Sequence, residues 1–115
     1  MAKHLLVVVT TPAEGQEEEF NRWYTSEHLD DVLRVPGFVA AQRFKLTRDT
    51  AKRSPGPYLA IYEMDTDDPD AAVAALTEAS VSGRMKISTA MDAVNVVASI
   101  YTPITERKVG APSND

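Results

Sequence analysis

The stretch Phe20-Asn21-Arg22-Trp23-Tyr24-Thr25-Ser26-Glu27-His28-Leu29-Asp30-Asp31-Val32-Leu33 runs through Arg34 into Val35-Pro36-Gly37-Phe38 and holds a helix together with its stop. Phe20, Trp23, Tyr24 and His28 recur at spacings of three and four, which puts them on one side of a helix. Leu29, Val32 and Leu33 continue the apolar stripe, and Thr25-Ser26 is a candidate break before a second short helix. Val35 precedes a proline, which disfavours its helical conformation, and Gly37 tolerates the turn that follows.

Upstream, residues 3–10 are short and rich in β-branched side chains and read as a strand. Thr11-Pro12-Ala13-Glu14 then carries a cap, a first-turn proline and a carboxylate at capping-box spacing, so the helix is expected to start there. Glu17-Glu18-Glu19 suits the positive end of the helix dipole and reads as a solvated face.

Downstream, residues 38–47 read as a strand, with Phe38, Ala40, Gln42 and Phe44 on one face and Val39, Ala41, Arg43 and Lys45 on the other. Residues 48–57 are polar and proline-rich and form a loop, and residues 58–65 are a third strand. Asp68-Pro69 opens an alanine-rich helix to about Ser80 that can approach a sheet closely, with Gly83 ending it. Residues 84–92 read as a short helix or an ordered loop, and residues 93–102 as a fourth strand. Residues 1–103 are expected to form one domain and 104–115 a mobile tail.

Strand, helix, strand, strand, helix, strand is the split-βαβ, ferredoxin-like order: an α+β protein with a four-stranded antiparallel sheet and both helices on one face. The strands do not alternate cleanly. Leu5 to Val9 is continuously apolar, and Leu59-Ala60-Ile61-Tyr62 and Val96-Val97-Ala98 are apolar on both faces. A second copy packed sheet to sheet about a two-fold axis would cover the open face, so a homodimer is expected.

Composition closes other routes. The 115 residues hold no cysteine, which excludes disulfides, thiolate zinc sites and a cysteine nucleophile. A net charge of −5 argues against nucleic-acid binding. No apolar run is long enough to cross a bilayer and no signal-peptide layout opens the chain, so the expected setting is the cytoplasm, away from membranes. Ser54-Pro55-Gly56-Pro57 lacks the lysine and glycine spacing of a phosphate loop, two histidines without motif spacing point to no metal, and no serine stands in a nucleophile elbow. Cofactor-free acid–base work or plain binding remains.

For either role the candidates are His28 and Tyr24. A histidine titrates near neutrality, and a phenol four residues away can polarise an oxygen or hold the ring, with Asp31 or Asp30 placed to orient the imidazole. Trp23 reads as core first and ligand contact second. His4 shares a strand face with Leu6 and Val8 and lines an enclosed space if that face is opposite the helices. Tyr58 and Tyr62 share a face, and Gln42 with Asn95 or Ser99 could add polar groups to an apolar small-molecule cavity.

The Trp23-to-Phe38 segment resembles the signature of the EthD-type family: a Trp-Tyr pair ahead of an acidic residue and a histidine, the helix ending at Pro-Gly-Phe. Tyr58-Leu59-Ala60-Ile61-Tyr62-Glu63, and Gly83-Arg84-Met85 leading to Met91-Asp92, are similar as well. Where relatives often carry a proline after His-Leu, this chain has Asp30. The resemblance implies a ferredoxin-like protomer and a dimeric α+β barrel. Its wider superfamily holds cofactor-free isomerases, polyketide cyclases, monooxygenases and dye- or haem-handling enzymes. Lys3-His4-Leu5 also resembles the first strand of a plant polyketide cyclase of that superfamily. The expectation is a cofactor-independent enzyme acting on a hydrophobic, aromatic or polyketide-like molecule; the alternative is a non-catalytic binding or accessory protein of a catabolic pathway.

Overall fold

A computed structural model describes residues 3–112. Its elements are β1 (Lys3–Thr10), α1 (Glu17–Trp23), a π-helical turn (Tyr24–His28), α2 (Leu29–Leu33), β2 (Phe38–Lys45), β3 (Tyr58–Asp65), α3 (Pro69–Val81) and β4 (Val97–Tyr101). The strands form one sheet in the order β2-β3-β1-β4, every neighbour antiparallel. This is the ferredoxin-like α+β fold expected from the order of elements.

Register assigns the two faces. Leu6 pairs with Tyr62, Val8 with Ala60 and Thr10 with Tyr58, and Leu6, Thr10, Tyr58, Ala60 and Tyr62 are all buried. That face meets Phe20, Trp23, Tyr24 and Val32 from the helices. Leu5, Val7, Val9, Leu59 and Ile61 point the other way and stay partly exposed. No helix of the described residues is long and apolar enough to cross a membrane.

Four local expectations are corrected. Helix α1 starts at Glu17 rather than at Pro12, because Pro12 bridges Met91 and the Ala13 N–H donates to the Ala90 carbonyl at 2.7 Å. The Thr11-Pro12 segment is thereby held as extended chain against residues 84–92, which form no helix. Phe38 is not on the face of Ala40, Gln42 and Phe44: a bulge between Phe38 and Ala40 adds one residue and turns Phe38 into the core, 4% exposed against 41% for Phe44. The fourth strand is limited to Val97–Tyr101, the residues that pair with Leu5–Val9 of β1.

The last correction concerns α3. Asp68 caps it, its carboxylate accepting from the Ala71 N–H at 3.0 Å. Its small residues do not meet the sheet. Ala72 abuts the turn at Gly37, where a Cβ would lie 3.4 Å from the Ala72 Cβ and φ is +99°. Ala75 and Ala79 border a cleft with Val35 and Pro36. The larger Val73 and Leu76 face the sheet across a cavity.

Candidate functional site

The cavity holds about 230 Å³ between the sheet, the π turn and α3. Leu6, Val8 and Thr10 of β1, Tyr62 of β3 and Ala98 of β4 form its floor. Tyr24, His28 and Val32 close one side, Val73, Leu76, Thr77 and Ser80 the other, and Met85, Ile87 and Met91 one end. Thr77 and Ala98 are exposed, which puts the mouth between α3 and the edge strand β4.

The π turn builds the catalytic-looking wall. The Leu29 N–H donates to the Tyr24 carbonyl, five residues back instead of four. In a regular α-helix, five residues at about 100° each would put Trp23 and His28 at the two edges of one helix face, about 140° apart. With the turn widened, His28 contacts both preceding aromatics. Its ring stacks on Trp23 at 4.6 Å and 26°, and meets Tyr24 edge-on at 4.9 Å and 89°. The Trp23 indole N–H reaches the Lys86 carbonyl at 3.3 Å, which fixes the stacking surface.

His28 Nδ1 is buried and has no hydrogen-bond partner. Burial lowers the imidazole pKa to about 4, and the Asp31 carboxylate only partly opposes this. At neutral pH the ring is therefore uncharged. Asp31 does not bond His28; its carboxylate pairs with Arg34 at 2.7 Å.

Beside His28, the Tyr62 hydroxyl donates to the Tyr24 hydroxyl at 2.9 Å. Burial raises both phenols, Tyr62 the more strongly because Tyr24 adds to it. The Arg43 guanidinium lies 4.6 Å from the Tyr24 ring centroid and favours negative character on both phenol oxygens. Arg43 also faces the Phe20 and Tyr58 rings at 5.4 and 5.3 Å, and donates to Thr25 Oγ1 and Asn21 Oδ1 at 2.8 Å each. Tyr58 bonds Asn21 and Glu17, so one stripe of α1 and the π turn (Glu17, Asn21, Thr25) is pinned to the sheet.

Of the residues singled out in the sequence, the structure gathers His28, Tyr24 and Tyr62 at the cavity, with Trp23 behind His28. It does not gather the others. His4 is on the helix-facing side of β1 but at its start, with Nδ1 2.8 Å from Thr102 Oγ1. Gln42 pairs with Ile61 on the opposite sheet face, and Ser99 sits across from Val7 on that face. Asn95 bonds Asp92 outside the cavity. Thr10, Thr77 and Ser80 are lining polar residues that the sequence reading missed. Thr77 and Ser80 carry a signal, being i and i+3 on an otherwise alanine-rich helix. Among the described residues, no three His, Asp or Glu side chains cluster as a metal site would need.

No protein-family model matches this sequence, and no curated protein matches it. Solved structures do share its fold. The heme-degrader MhuD of Mycobacterium tuberculosis is 13% identical, with 93% of this chain and 99% of that chain covered at a TM-score of 0.61. A protein from Shewanella loihica PV-4 is 15% identical over 90% and 96% of the two chains, at 0.57. An ethyl tert-butyl ether degradation (EthD) family protein from Bacillus halodurans C-125 is 13% identical over 90% and 100%, at 0.51. The EthD resemblance of the helix segment is thus matched by the fold.

Proposed function

We propose that the chain is a small cofactor-independent enzyme that performs acid–base chemistry on a hydrophobic, aromatic or polyketide-like molecule held between its sheet and α3. The observation that carries this is the constellation on the cavity wall. An uncharged histidine, with one nitrogen sealed and the ring locked on Trp23, sits beside a tyrosine whose oxygen is already committed to a second tyrosine. A neutral imidazole can take a proton, and a phenol hydroxyl can polarise an oxygen. His28 and Tyr24 are the catalytic residues of this reading, and Tyr62 orients Tyr24. Isomerisation, cyclisation, dehydration and cofactor-free oxygenation are reactions such a pair can serve. Replacing His28 by Ala abolishes turnover of a cavity ligand while circular dichroism shows a folded chain; retained turnover would leave the alternative, a binding or accessory protein.

Two copies pair through the open sheet face in this reading. Support comes from Leu5, Val7, Val9, Leu59 and Ile61 at its centre, with Phe44, Val97 and Tyr101 more exposed around them. An apolar face spread over four strands is what a second sheet covers.

A further inference from the structure

Charge is missing from the cavity wall in a way that selects the ligand. No Asp, Glu, Lys or Arg lines it among the described residues, and its one titratable base, His28, is held uncharged by burial. Arg43 is not among the lining residues. Arg43 lies behind the Tyr24 ring and is engaged by Asn21 and Thr25. An anion entering the cavity would lose hydration and gain no counter-charge, which disfavours it.

The polar groups sort differently. Tyr62 donates to Tyr24, and among the described residues the Tyr24 proton has no acceptor. Tyr24 lines the cavity, which makes a ligand there the acceptor available to that proton. Size adds a limit, since about 230 Å³ lies below the about 300–1,000 Å³ usual for drug-sized ligands.

We infer that the cavity takes an uncharged carbonyl compound of one or two rings, whose oxygen accepts the hydrogen bond of the Tyr24 hydroxyl. This rests on the cavity being the site proposed above. Haem, the ligand of one protein with this fold, does not fit: its carboxylates would meet no cation and its macrocycle exceeds the space.

The test titrates the protein calorimetrically with tetralin, 1-tetralone, 1-naphthoate and hemin at neutral pH. The expected result is 1-tetralone binding about tenfold tighter than tetralin, as one hydrogen bond supplies, with no naphthoate or hemin binding. Tyr24→Phe brings 1-tetralone down to the level of tetralin. Independently of any variant, the infrared carbonyl band of bound 1-tetralone moves to lower wavenumber than in hexane. Equal binding of tetralin and 1-tetralone, an unshifted band, or uptake of naphthoate or hemin overturns the inference and leaves the cavity reading standing. Binding of none of the four overturns both.

Discussion

Trp23 and His28 stack at 4.6 Å only because a π turn separates them. Trp23 is the sole tryptophan, so its emission reports on the neighbouring imidazole. A charged imidazolium against the indole face changes the emission, so acidification produces a fluorescence transition with a midpoint about 4. His28→Gln removes it. A transition near 6.5 would mean that the ring is not desolvated.

The same depressed pKa sets a stability term. The unfolded chain binds a proton at the ordinary histidine value of 6.5, the folded chain only near 4. Between these values the unfolded state holds more protons, so stability falls as pH falls. The contribution is complete above pH 6.5 and lost as the pH drops to about 4. Urea denaturation should show wild type losing up to about 3 kcal/mol relative to His28→Gln across that window, and nothing above it. Parallel curves for the two proteins would contradict the desolvation.

Arg43 should not tolerate lysine. Its guanidinium reaches Thr25 and Asn21 together while covering three rings, and an ammonium cannot repeat that geometry. Arg43→Lys is expected to cost about 1–2 kcal/mol, seen as a melting temperature lower by several degrees. An unchanged melting temperature would reduce Arg43 to a surface cation.

Ile61 sits at the centre of the open sheet face, paired with Val7 and Gln42. Sedimentation of wild type should give twice the 12.6 kDa chain mass, and Ile61→Lys a folded monomer. A wild-type monomer at micromolar concentration would reject the pairing.

Much of the fold was legible where short-range chemistry decides it. Tyr58–Asp65 follows from its composition, and the Asp68-Pro69 cap marks the start of α3. The failures are long-range. Thr11-Pro12 carries every local mark of a helix start, yet Met91 and Ala90 hold that segment extended. The bulge that turns Phe38 inward depends on β3, not on the residues around Phe38. At the site, Tyr24 and His28 could be found from helical spacing. Tyr62 can be placed only on a strand face, and Gln42 only with Phe38, from which the bulge separates it. The contacts of Trp23 with His28 require the π turn, for which Thr25-Ser26 offered only the hint of a break.

Because α3 faces the sheet across a hollow, a bound molecule would supply the packing layer that this side of the core lacks. Ligand affinity and folding free energy then draw on the same contacts, and the melting temperature climbs with ligand concentration. A thermal-shift screen of uncharged ketones can therefore find the natural ligand class before any reaction is known.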